Sequence, residues 1–212
     1  MTINILSNLR RISIACWAML TFGALSNDVL AEKKEITLST LEWPPYVGSD
    51  LLNQGFVTEI VTSVFTHMGY DTTIVIVPWA RALKGVENGK YDGTFPAYFS
   101  KKRSHKFSFT NNLIKSPISF YKRKEAKIQF KTIRDLKDYR IGIVNGYIYN
   151  QEFDSANYLN KIKLPLDENI LKMLVLNRLD LGLVDEFNAK HLFKSMPEAK
   201  TSLKVISPPL EI

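Results

Sequence analysis

The side chains best able to do acid–base or metal chemistry in this 212-residue chain are His67, His105 and His191, and their spacing serves neither purpose. None stands at a zinc-ligand interval from another, and Cys16, the only thiol, lies far upstream of all three. No Gly-x-Ser-x-Gly elbow presents a nucleophile, and no glycine-rich loop could cradle a phosphate. The stretch from Gly142 to Gly146 is too sparse for a dinucleotide fingerprint, and a turn closing a strand accounts for it. Metal-dependent, nucleophilic and nucleotide-dependent chemistry are therefore not indicated, and no cofactor is called for. The basic runs Lys101-Lys102-Arg103 and Lys122-Arg123-Lys124 are short and scattered, with no zinc-finger, RNP or helix-turn-helix pattern beside them. The formal net charge of +7 thus reads as a solvated basic surface, and no nucleic-acid partner is expected.

What positions a binding site must come from the periodicities. Residues 1–31 read as a removable export leader: Arg10 and Arg11 make its positive start, Ile12 to Ser26 its apolar run, and Val29-Leu30-Ala31 its small-residue cleavage site. That run is shorter than the ~20 residues needed to span a bilayer. Cleavage removes Cys16, starts the mature chain at Glu32 and places it in the periplasm. Ile36 to Leu41 reads as a strand, followed by the turn Trp43-Pro44-Pro45-Tyr46 and a loop to Gly55. Phe56, Ile60, Val64, Phe65 and Met68 keep helical spacing up to Gly69, which predicts a helix over 56–68. Thr72 to Val77 is a second strand, Pro78 opens a second helix that stops near Gly89, and Tyr91 to Phe95 is a third strand.

This β-α-β-α-β order predicts a parallel, doubly wound sheet with ligands at the carboxyl ends of its strands. Ser116 to Lys124 is extended and leads into a second series: a strand over 140–144 ending at Asn145-Gly146, helices over 148–159 and 168–177, a strand over 179–184 and a helix over 186–195. The fold expected is α/β with two lobes, 32–118 and 119–204. Extended crossings near 115–122 and 204–209 would form a hinge behind an inter-lobe cleft. Residues 205–212 read as the return crossing to a first lobe whose remaining elements are missing.

Several segments in this order resemble the bacterial extracellular solute-binding proteins of family 3, the periplasmic branch that serves polar amino-acid uptake. They are Glu42-Trp43-Pro44-Pro45-Tyr46, Gly55, Pro78-Trp79-Ala80-Arg81-Ala82-Leu83, Gly89-Lys90-Tyr91-Asp92-Gly93, and Ser100 to Arg103 ahead of Phe107-Ser108-Phe109. In the second half, Leu136 to Gly146 and Leu179-Asp180-Leu181-Gly182-Leu183-Val184-Asp185 look like the family's strand-turn units. The resemblance implies a two-lobed, type II periplasmic-binding-protein-like fold.

It also puts Arg103 where the family has the arginine that grips a ligand carboxylate, a task suited to a bidentate fork that stays ionised. Asp185 falls where the family often has the acid that receives an α-ammonium group; its other reading is an N-cap for the following helix. Trp43 falls where an aromatic ring covers the ligand. Tyr46, Arg81, Tyr98 and Tyr147 complete the expected ligand-contacting set, with Arg81 either in the cleft or in a salt bridge, whereas Trp79 is assigned to core packing. The sequence departs from the family's pattern at Phe95-Pro96-Ala97-Tyr98-Phe99, where small hydroxyl residues are usual, and at Tyr147, where a threonine is usual. Both departures speak against a plain α-amino acid and for a bulkier or aromatic ligand, or for none.

The function expected is capture of a small polar, carboxylate-bearing ligand by lobe closure, for an ABC-type permease, by a monomer without catalytic residues. Two alternatives come with the resemblance. A few proteins of this fold dehydrate cyclic dienyl acids with a general-acid carboxylate, for which Glu42, Glu152, Asp185 and Glu186 are the candidates. Others deliver the closed state to a membrane sensor instead of a transporter.

Overall fold

The computed structural model describes residues 34–210, with side chains as far as Ile206; the leader expected at 1–31 lies outside the described residues. The first sheet has the order β2-β1-β3, built from β1 (Lys34–Thr40), β2 (Tyr70–Ile76) and β3 (Gly93–Thr94). All pairs are parallel, running from Lys34↔Tyr70 to Thr40↔Ile76 on one side of β1 and through Leu38↔Gly93 on the other. Parallel neighbours require crossovers, and α1 (Phe56–His67) and α2 (Trp79–Glu87) supply them.

The helix expected over 56–68 forms, but the stripe that carried much of its pattern faces outward: Phe56, Ile60, Val64 and Met68 are 40–60% exposed. The inward face is Val57, Thr58 and Val61, with Phe65 packed at the edge of the first core. Val57, Val61 and Phe65 follow the same spacing one position on, and two adjoining stripes cannot both lie against one sheet. A hydrogen bond from Val57 N to Tyr46 O turns the second stripe inward where the chain enters the helix.

After a one-turn helix, α3 (Lys101–Ser104), the chain enters the second sheet through β4 (Ile118–Arg123). There follow β5 (Arg140–Val144), α4 (Gln151–Ser155), β6 (Asn160–Leu164), α5 (Asp167–Val175), β7 (Leu181–Asp185), α6 (Glu186–Leu192), α7 (Pro197–Ser202) and β8 (Leu203–Leu210). The sheet order is β6-β5-β7-β4-β8: the first three are parallel, and β4 runs antiparallel to both β7 and β8. The two extended crossings of the sequence reading therefore lie side by side as β4 and β8. The helix expected over 148–159 is only one turn, capped by Asn150, whose side chain accepts from Phe153 N at 2.8 Å. Its last residues pass into β6, which, like α7, has no counterpart in the sequence reading.

Two glycines let α5 press against this sheet. Gly142 and Gly182 are paired across β5 and β7, and a Cβ on Gly182 would lie 2.3 Å from Ile170 Cγ2. Apolar cores cover both faces of the second sheet: Phe120, Ile141, Leu181 and Leu183 on one, Tyr121, Ile170, Leu174 and Val184 on the other. A third core, with Leu38, Val57 and Val61, fills the first sheet's side. Tyr147 packs against all three.

Candidate ligand-binding cleft

The polar side chains that meet between the sheets come from segments following the carboxyl ends of β1, β3, β5 and β7, where open α/β sheets place their ligands. Arg103 sits on α3, whose start is fixed by Ser100 Oγ accepting from Arg103 N at 3.1 Å. Its guanidinium donates to Tyr98 O at 3.0 Å and, across to the second sheet, to Gly146 O at 2.7 Å. The guanidinium carbon lies 5.4 Å from the Trp79 ring centroid. Burial lowers the Arg103 pKa to about 10, so the group is ionised at neutral pH. Gly146 stands at φ +81, the left-handed region that glycine enters without strain, and its carbonyl also accepts from Trp79 Nε1 at 3.1 Å. Trp79, assigned to the core from sequence, is thus also a bond between the two halves.

Asp185 fulfils its N-cap reading. It caps α6 by accepting from Asn188 N at 2.7 Å, and it ends a strand buried along its whole length. Its carboxylate also accepts from Tyr46 Oη at 3.2 and 3.3 Å and from Ser116 Oγ, while Tyr98 Oη donates to Ser116 Oγ at 2.8 Å. Burial raises the Asp185 pKa against the opposing pull of these hydrogen bonds, and burial likewise raises Tyr46 and Tyr98. Nearby, Asn188 Nδ2 donates to Pro44 O at 2.6 Å.

Against Arg103 lies a void of about 10 Å³, also walled by Trp43, Trp79, Tyr98 and Tyr147, among others. Trp43 packs against Tyr46 at 4.4 Å with the rings tilted by 35° and meets Tyr98 edge-on at 5.9 Å, and its buried Nε1 has no hydrogen-bond partner among the described residues. Four of the seven side chains expected at the ligand, Trp43, Tyr98, Arg103 and Tyr147, line the void, and Tyr46 and Asp185 adjoin them through the Trp43–Tyr46 contact and the Tyr98–Ser116–Asp185 hydrogen bonds. Arg81 is the exception, exposed on α2 and outside the cavity wall. Of the carboxylates considered for acid catalysis, Glu42 and Glu152 are exposed, and Glu42 accepts from Ser49 N at 3.1 Å. Glu186 accepts from Ser119 Oγ at 2.6 Å, and Asp185 is the one hydrogen-bonded to Tyr46 and Ser116.

Sequence reasoning missed Ser116, Asn188 and Asp167. Asp167 opens α5 and is only 6% exposed, and no described residue donates a hydrogen bond to its carboxyl. Burial, followed by the charge of Asp185, pushes its pKa up to about 8. The available signal was an acid at a strand-to-helix junction, Leu164-Pro165-Leu166-Asp167, on the edge of a parallel sheet where ligands bind.

Two α/β units meeting at the carboxyl ends of their strands, with a polar and aromatic cleft between, define a type II periplasmic-binding-protein-like fold. Solved structures agree. An ancestral arginine-binding protein bound to arginine superposes with a TM-score of 0.69 at 17% identity, covering 82% of this chain and 78% of that one. An arginine 3rd transport system periplasmic binding protein from Legionella pneumophila gives 0.69 at 22% identity, covering 84% and 82%. A histidine kinase sensor domain with similarity to periplasmic binding proteins gives 0.75 at 16% identity, covering 85% and 79%. No curated protein matches the chain. The chain belongs to the bacterial extracellular solute-binding proteins, family 3, whose model matches residues 37–204.

Proposed function

We propose that this protein captures a small zwitterion of the amino-acid type by closing two lobes, 32–118 and 119–204, around it. The observation that carries the reading is that Arg103 lines an aromatic-walled cavity whose wall residue Tyr98 is joined to Asp185 through the Ser116 hydroxyl. A guanidinium fork suits a carboxylate, and the strand-end aspartate suits an ammonium group. Trp43, Tyr98 and Tyr147 would flank the ligand's side chain, and the unpaired Trp43 Nε1 offers it a donor. A void of about 10 Å³ holds roughly one water. A ligand therefore enters only when the halves separate, and contacts to both halves couple its capture to closure.

Export by the leader at 1–31, a periplasmic location and delivery to an ABC-type permease belong to the same proposal. Delivery to a membrane sensor is a second reading, favoured by the likeness to a histidine kinase sensor domain. Genes for a permease or for a sensor kinase beside this one would separate the two. The binding reading is tested by a thermal-shift screen of free amino acids, small carboxylates, polyamines and saccharide fragments, because a ligand stabilises the state it binds. A rise in melting temperature with an amino acid, abolished in Arg103→Ala, supports it. No shift with any amino acid sinks it.

A further inference from the structure

Five of the eleven large apolar side chains exposed among the described residues, Leu52, Phe56, Ile60, Val64 and Met68, fall at four-residue intervals along α1 and the turn before it. Single exposed apolar residues are ordinary, but a row of them makes a patch, here roughly 500 Å² and at the upper end of what a monomer leaves open. Along α1 the row is one ridge of the helix, and Glu59, Ser63 and His67, all exposed, form the next ridge. Between the two runs a shallow groove lined by Phe56, Glu59, Ile60, Ser63 and Val64. The Phe56 ring packs on Tyr46 at 5.7 Å, so that end of the ridge is held in place.

The chemistry of this face narrows what can cover it. From Glu35 to Ala80 the chain has no lysine or arginine, although it has 28 in all, and it carries five acids there. A face without basic residues does not suit an anionic lipid surface. A ridge beside a groove suits a second helix of the same shape, and the polar ridge is complementary to itself. In an antiparallel pair related by a two-fold axis at Ser63, residues equally far on either side of Ser63 meet at one level. Glu59 and His67 each lie about 6 Å along the axis from it, so each carboxylate can accept from the imidazole N–H of the other copy. Ile60 and Val64 of both copies gather on the opposite flank, and Phe56 comes against Met68 of the second copy. Ser63, the smallest side chain of the face, stands where the backbones approach most closely. A parallel pair would instead set Glu59 against Glu59, which repels.

We propose that α1 is the contact of a symmetric dimer, in which the α1 of a second copy of this chain lies antiparallel across the stripe from Phe56 to Met68. This replaces the monomer expected from sequence, and it depends neither on the cleft nor on its ligand. The apolar patch is smaller than the ~800 Å² per partner of a standard interface, so the dimer forms and dissociates with concentration.

Sedimentation velocity of the purified protein, from micromolar to near-millimolar concentration, should show one copy passing reversibly to two. Val64→Asp puts a charge into the stripe and should weaken the association by about tenfold or more. Val64 is half exposed, so the melting temperature should not move. The pairing is read separately by cross-linking. Under mild oxidation Ser63→Cys should form a disulfide dimer, because packed helices bring facing backbones within reach of one, whereas Lys84→Cys, exposed on α2, should not. Wild type treated alike controls for Cys16. A monomer at every concentration, a dimer that Val64→Asp leaves equally tight, or a Ser63→Cys that links no more readily than Lys84→Cys overturns the proposal. So does a monomer that sediments with phosphatidylglycerol vesicles and ceases to do so in Val64→Asp, which would give the stripe to a lipid surface. Should Val64→Asp fold poorly, the wild-type concentration series and the cross-linking decide.

Discussion

Replacing Arg103 by alanine separates a binding role from a structural one, because the structure sets the size of each. The side chain makes two hydrogen bonds from a charged donor to backbone carbonyls, at 3.0 and 2.7 Å, and stacks over Trp79. Such bonds contribute about 1.5–3 kcal/mol each and the cation–π contact about 1 kcal/mol. Against this stands the burial of the cation. The lowering of its pKa from 12.5 to about 10 corresponds to about 3 kcal/mol. Gly146 O keeps its bond from Trp79 Nε1, so truncation leaves only Tyr98 O newly without a donor. The net loss of stability should be about 1–4 kcal/mol, enough to lower the melting temperature by several degrees without unfolding the protein. Removing the fork should weaken binding of a carboxylate ligand by at least about tenfold. Thermal melting by circular dichroism and titration calorimetry on the same preparation read the two effects separately. A folded Arg103→Ala that binds the ligand as tightly as wild type would refute the assignment of the carboxylate to this residue.

Two further outcomes follow from the same coordinates. Because the Asp167 pKa is raised to about 8, its contribution to stability is complete below the unfolded carboxylate pKa and is lost as pH rises towards 8. The loss has a ceiling of about 4 kcal/mol at pH 7, and opening of the cleft relieves part of it; Asp167→Asn should thus melt several degrees higher than wild type at pH 8 but much less so at pH 5. Calorimetric scans at the two pH values check this, and an equal gain at both contradicts it. Gly182→Ala should destabilise by about 1–3 kcal/mol, since its new Cβ would lie 2.3 Å from the stiff, β-branched Ile170; unchanged melting would show that α5 can lift from the sheet at no cost.

What the sequence made legible follows the range of its signals. Hydrophobic period is local, so β1, β2, β5 and β7 and the helices α1, α2 and α5 stand close to their expected places. Packing direction is not local: Phe56, Ile60 and Val64 lie on a valid helical stripe, yet the neighbouring Val57 and Val61 won the sheet. Strand β6 escaped notice because Lys161 and Lys163 alternate with Ile162 and Leu164 over only five residues, at the edge of the sheet. Arg103, Asp185 and Trp43 could be named as candidates from sequence because they sit in segments that resemble a family. Ser116 and Asp167 sit in no such segment, and a serine or aspartate acquires meaning only when distant strand ends converge on it.

The cross-sheet contacts also constrain how capture can work. Arg103 and Trp79 both donate to Gly146 O, so a ligand carboxylate that takes the guanidinium must replace a bond that already joins the halves. The contacts of Asn188 with Pro44 and of Tyr46 with Asp185 lie elsewhere and need not be broken. Part of the closing force is therefore independent of the ligand, and part is exchanged for it. A ligand shifts the open–closed balance only by the difference between what it gives and what it displaces. A carboxylate in place of a carbonyl gains charge, whereas an uncharged ligand taking the same place gains little. On the proposed seating of a carboxylate at Arg103, selection for a charged ligand would follow from the closed geometry itself, before any contact with its side chain is counted.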